Sequence, residues 1–343
     1  VSEQLHSESA RIRPLAATAL RRWWRHRHVR TALITGAVIG VLGILVHRFE
    51  DLLEALSGTE PDLGYVPVMI ALATLYYFLK ALRWHFYLRV SKVRLSWWRS
   101  CAAYLAGQWF TFTPAGELVR SYLLFERYRI PFERSAPTVV LQALMDFASL
   151  ALMAILAAVW VPVLLPVVLP VTIPVLAFML ALLFPLPRRW LRSAPVLQCL
   201  PLIRSRRFQA LLDHADTLLA VRPTLVGLGM GLPAVAVGAG TLVAAGMALH
   251  VEGWHLVPAL LVYSIAQLLG GVSIFPQGLG VTEASGTALL ALLEVPALQA
   301  ASAVILFRVC TLGWSILLGG CALVVLRLDR GRDCADVTAG GEL

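Results

Sequence analysis

Five charged side chains stand inside or beside long apolar runs: Glu117, Arg120, Asp146, Glu283 and Arg308. Two of the stretches that carry them echo one another. Thr111-Phe-Thr-Pro-Ala-Gly-Glu-Leu-Val-Arg120 and Ser273-Ile-Phe-Pro-Gln-Gly-Leu-Gly-Val-Thr-Glu-Ala-Ser-Gly286 both place Phe before Pro, Gly two residues after Pro, and Glu beyond it. The chemistry open to them is anion binding. Thr113 with Pro114 reads as an N-cap and first helical residue, and Thr282 with Glu283 as a second helix start. Two helix N-termini facing one cavity offer free amides and partial positive charge, which favours phosphate or carboxylate. Glu117 and Glu283 each fall in the first turn of such a helix, where they satisfy the dipole, hold a cationic part of a ligand, or carry a proton. Arg120, three residues after Glu117 on the same helical face, is placed to contact a phosphate.

Asp146 and Arg308 raise the same question more sharply. Counting from the ends of their apolar runs at about 1.5 Å per residue puts both roughly 15 Å deep, near the middle of a bilayer. Centring a charge there costs around 2.5–3.5 kcal/mol on insertion scales, so each must face a partner or a polar cavity. Two readings stand: a structural Asp146–Arg308 pair between spans, or a midplane pocket.

The elements that must position these groups follow from composition. The chain has 343 residues, 59% hydrophobic and 14% charged, against about 25% charged in soluble domains. That leaves too little polar surface for a soluble fold and predicts an all-α polytopic membrane protein. Apolar runs predict six full spans, at about 31–47, 64–82, 136–160, 164–186, 223–249 and 297–326. The two echoing stretches interrupt the runs at about 101–119 and 257–294 with Pro114, Gly116, Pro276, Gly278 and Gly280. Irregular backbone survives at membrane depth only where protein buries it or a cavity hydrates it. Both segments therefore read as broken, re-entrant hairpins, and a pair of such breaks points to a substrate site between repeats.

Charge placement gives the orientation. Residues 1–30 are basic, the link 187–222 carries seven arginines, and no Lys or Arg occurs between Arg222 and Arg308. The positive-inside rule puts both termini and the 187–222 link in the cytoplasm of a plasma-membrane protein, with loops 48–63 and 250–256 outside. Within the link, Phe208 to Leu219 reads as an amphipathic surface helix. The first break has basic flanks on both sides and the second has none, so they enter from opposite faces, as in an inverted-topology repeat. A single membrane domain of residues 31–327 and a short, disordered-looking cytoplasmic tail of 328–343 complete the division.

The net charge of +9 comes from these flanks rather than from a separate basic module, which argues against nucleic-acid binding. Five scattered cysteines and eight histidines form neither a disulfide framework nor a metal-spaced set. The glycines of 227–231 follow no strand, so they are no dinucleotide loop. No cofactor is implied.

Thr113-Pro-x-Gly-Glu-Leu-x-Arg120, Pro276-x-Gly-Leu-Gly-Val-Thr-Glu283, and Phe307-Arg308 with Trp314 and Gly319 together resemble the flippase-like family, also called the lysylphosphatidylglycerol synthase transmembrane-region family. The likeness spans about residues 30–327. Four positions before Asp146, where that family often has an acid, this chain has Gln142. The resemblance implies a lipid-translocating membrane domain, in some members fused to an aminoacyl- or glycosyltransferase. With no residues left for such a domain, the expectation is the membrane part alone, acting on a lipid made by a separate enzyme. Translocation of a polar or anionic lipid, phospholipid or polyprenyl-phosphate conjugate, is the leading expectation. The alternatives are a membrane-embedded transferase with Glu117, Asp146 or Glu283 as base, and a non-transporting partner of a lipid-modifying enzyme.

Overall fold

The structure is a computed structural model that describes residues 61–111, 116–183, 217–273 and 275–339. The basic segment 1–30, the expected first span and most of the 187–222 link, including residues 208–216 of its expected amphipathic helix, lie outside the described residues. What is described is helical, without a strand. Five stretches are long and apolar enough to cross a bilayer: Leu63–Val90, Phe132–Ala158, Pro162–Ala181, Val221–Ala248 and Ala297–Leu326. They match five of the six expected spans.

Helix α1 (Val66–Val90) starts with Pro67 in its first turn. Asp62 precedes it, accepting a bond from the Gly64 amide at 2.9 Å while its own amide donates to the Ala248 carbonyl at 2.8 Å. The helix runs on to Val90 where apolarity alone predicts an end at 82. Lys80 and Arg83 are therefore inside the span rather than on its flank, and a carboxylate described below makes this tolerable. Next come α2 (Trp97–Gln108), a break, a 3-10 turn at Gly116–Leu118 and α3 (Val119–Tyr128). Arg129 stops α3 in the left-handed region.

Helix α4 (Phe132–Ala158) turns at Trp160 into α5 (Leu165–Leu183). Pro170 and Pro174 sit inside α5, each deleting one backbone bond. Helix α6 (Val221–Ala248) leads to α7 (Leu256–Val272), the second break and α8 (Val281–Leu292). Helix α9 (Ala297–Arg308) passes through a π turn, Val309–Gly313, into α10 (Trp314–Ala339). The helical backbone continues to Ala339.

Helix α6 is the centre of the packing, against α1, α4, α7 and α9. Its glycines explain the close fit. A Cβ at Gly227 would fall on the Tyr87 hydroxyl, one at Gly238 on the Tyr263 hydroxyl, and one at Gly246 on the Trp254 ring. At Gly231 it would meet the Ser149 hydroxyl and, at 2.7 Å, the Arg83 guanidinium. Small residues let transmembrane backbones approach closely where lipid gives no hydrophobic drive. Gly231→Val is therefore expected to lower stability by about 1–3 kcal/mol through overpacking. Gly229→Ala, with nothing within 4 Å of the added methyl, should not destabilise. Melting of the detergent-solubilised variants checks the contrast.

Candidate functional site

The first break presents Glu117 in the 3-10 turn and Arg120 in the first turn of α3. Glu117 is half-exposed, Arg120 only 2% exposed, and Arg120 Nη2 lies 3.4 Å from Glu117 Oε2. This confirms their shared helical face. The guanidinium sits over the Tyr104 ring at 4.5 Å. Its stem occupies the space a Cβ on Gly107 would take, so glycine in α2 gives Arg120 its berth. Nε and Nη1 of Arg120 are buried and find no hydrogen-bond partner among the described residues. A buried cation with two vacant donors is costly unless something anionic visits it. Gly116 is buried at the start of the turn. Thr113 and Pro114 fall outside the described residues.

The second break is held differently. Pro276 opens a 3-10 turn through Gly278, with Gln277 in the left-handed region at φ 55°. A Cβ on Gly278 would stand 2.6 Å from Gly270 Cα, and its φ of 65° also favours glycine. Gly280, at φ 83°, caps α8. Thr282 is thus in the second helical position rather than the cap. It is buried against Gly270, and its hydroxyl finds no partner among the described residues. Glu283 accepts from the Gly280 amide at 2.7 Å through Oε2, which is the dipole-satisfying role. Its other oxygen accepts from Arg308 Nε at 3.0 Å, and Arg308 Nη2 donates to the Gln277 carbonyl at 2.7 Å. Arg308 and Glu283 together clasp both ends of the turn.

Asp146 and Arg308 therefore do not pair with each other. Asp146 binds Lys80 at 2.9 Å and Arg83 directly, both from α1. Depth along two helices is insufficient to choose among partners when a third helix brings nearer cations. Lys80 also donates to the Tyr76 hydroxyl at 3.2 Å and lies over its ring. Gln142 closes the same corner, its Nε2 donating to the Lys80 carbonyl at 3.4 Å.

These groups surround one cavity of about 60 Å³. From the first break come Glu117 and Arg120 with Gln108, and from the second Gln277, while Arg308 and Gln267 contribute from α9 and α7. Lys80, Tyr76 and Tyr77 of α1 and Tyr263 of α7 add further polar wall. The paired breaks thus meet on one polar space. Of the expected site residues, Glu117, Arg120 and Arg308 line it. Asp146 and Glu283 stand behind, each holding a lining cation. Gly116, Pro276, Gly278, Gly280 and Thr282 are not in its wall.

Sequence reasoning missed Lys80, Arg83 and the three glutamines. A signal existed: Tyr76, Lys80 and Arg83 share one helical face, and Gln267 interrupts an otherwise apolar run. Among the described residues no three His, Cys, Asp or Glu side chains group as metal ligands.

A comparison with curated proteins gives no match. The family described as the lysylphosphatidylglycerol synthase TM region matches residues 32–320. Over most of its length, through both breaks and the arginine that clasps the second, the chain belongs to that family.

Proposed function

We propose that this membrane protein moves a polar or anionic lipid across the bilayer, its head group passing through the cavity while its tails stay in lipid. One observation carries the reading: the wall that both breaks share includes Arg120, a buried arginine two of whose donors find no partner among the described residues. A phosphate offers the acceptors those donors lack, and a guanidinium matches it geometrically. The cavity, at about 60 Å³, holds a few waters, so a passing head group has to part the walls. The carboxylates give less support to a transferase. Asp146 and Glu283 are committed to cations, and Glu117 faces Arg120.

On this proposal the membrane is the plasma membrane, both termini are cytoplasmic, the breaks enter from opposite faces, and a separate enzyme supplies the lipid. A single cysteine at position 56, in a cysteine-free background, should react with an impermeant reagent from outside, and one at position 200 should not. The reverse pattern overturns the orientation. Transport itself is tested in proteoliposomes with fluorescent phosphatidylglycerol. Reconstituted protein should carry the label between leaflets without chemical change; release of a modified lipid would favour the transferase.

A further inference from the structure

We infer that a proton crosses with each anionic head group, and that Glu117 is the group that takes it up. The inference rests on the carrier reading and supplies its coupling ion. Three carboxylates belong to the charged network, and two of them are firmly held. Asp146 bonds Lys80 at 2.9 Å and Arg83 directly. Glu283 accepts from Arg308 Nε at 3.0 Å and from the Gly280 amide at 2.7 Å. Glu117 is held loosely: among the described residues its ion pair is with Arg120 alone, at 3.4 Å, and its side chain is 45% exposed. It is also the only carboxylate among the described residues of the cavity wall.

An anion entering this wall competes with Glu117 for the same buried guanidinium. Two negative groups then face Arg120 in a poorly screening interior. A like charge close by favours the neutral form of a carboxylic acid. Of the two acids the phosphate is the stronger, so Glu117 is the one that takes up the proton, from water on the side of entry. The proton returns to water on the side of exit as the anion departs and Glu117 rejoins Arg120. Arg120 and Glu117 sum to zero when the cavity is empty. Arg120, the anion and a neutral Glu117 sum to zero when it is loaded. What crosses is therefore a lipid anion and a proton together, electrically neutral.

The other ionisable groups around Glu117 have no such exchange open to them. Lys80 of α1 is held by Asp146 of α4 and donates to the Tyr76 hydroxyl. Arg308 of α9 is held by Glu283. Tyr76, Tyr77 and Tyr263 in the wall, and Tyr104 under Arg120, are neutral phenols with no charge to displace.

Proton uptake is measured first, without transport. Phosphatidylglycerol added to the detergent-solubilised protein, in weak buffer with a pH-indicating dye, should draw about one proton from solution per lipid bound. Per lipid bound, Glu117→Gln should draw none, and Glu117→Asp, which keeps an acid on a shorter stem, should restore uptake. In proteoliposomes, a gradient of one pH unit should shift fluorescent phosphatidylglycerol about tenfold towards the alkaline leaflet, the ratio that one-to-one coupling sets. A membrane potential of either sign should leave the distribution as it was, and in Glu117→Gln the pH gradient should shift nothing. Proton uptake without lipid transfer would keep the proton site and remove the carrier. Transfer that ignores the pH gradient, with no proton taken up on binding, would overturn the proton site and leave the carrier. Equal uptake by wild type and Glu117→Gln would overturn the role of Glu117. Phosphatidylglycerol that neither binds nor moves would overturn both readings.

Discussion

Arg120→Gln is expected to lower transfer of an anionic lipid at least tenfold while the protein folds and inserts as before. The magnitude follows from what the residue offers. A hydrogen bond to a charged group contributes about 1.5–3 kcal/mol, and about 1.4 kcal/mol is already a factor of ten. Arg120 lines the cavity and holds two such donors buried and, among the described residues, without a partner. Its partner in the protein is a half-exposed Glu117 at 3.4 Å, so removal strands no buried counter-charge. Arg120→Lys keeps the charge but loses the fork, and should fall between wild type and glutamine. Transfer by Arg120→Gln at the wild-type rate would remove this residue from the anion site.

The largest effect on stability is expected at Asp146. Its carboxylate serves two cations at once, Lys80 and Arg83, and Arg83 is fully buried. Asp146→Asn leaves both uncompensated, and breaking a buried pair in this way costs about 3–5 kcal/mol. Yield and melting temperature should fall together. Adding Lys80→Met should recover part of the loss, because it removes one stranded charge. Adding Arg308→Gln should recover none, because Arg308 belongs to the other clasp with Glu283 and Gln277. Rescue by the Arg308 change would restore the Asp146–Arg308 pairing that the sequence alone suggests.

That contrast marks what the sequence could and could not tell. Apolar run length placed five described spans and the Pro and Gly interruptions both breaks, because spanning a bilayer is a one-dimensional constraint. Satisfying the helix dipole is one of three roles the sequence leaves open for Glu283, and in the fold its carboxylate, three residues past Gly280, reaches back within its own helix turn. Partners on different helices were not legible. Midplane depth leaves Arg308 either a partner of Asp146 or a pocket residue, whereas in the fold it bonds Glu283 and the Gln277 carbonyl. A span of about 64–82 puts Lys80 and Arg83 at its edge, because charge normally ends a span. Inside this bundle a carboxylate from α4 meets them, and α1 continues to Val90. Gly107 carries no chemical signal of its own, and only the structure shows that it makes room for Arg120.

If lipid head groups pass through the space between the two breaks, filling that space stops transfer. Gln277 lies in that wall from the second break, so a cysteine there, in a cysteine-free background, tests the claim directly. Transfer of fluorescent phosphatidylglycerol by Gln277→Cys proteoliposomes is measured before treatment with a bulky methanethiosulfonate, after it, and after reduction. Transfer should stop on modification and resume when the adduct is released. An unchanged rate with the cysteine fully modified would contradict it.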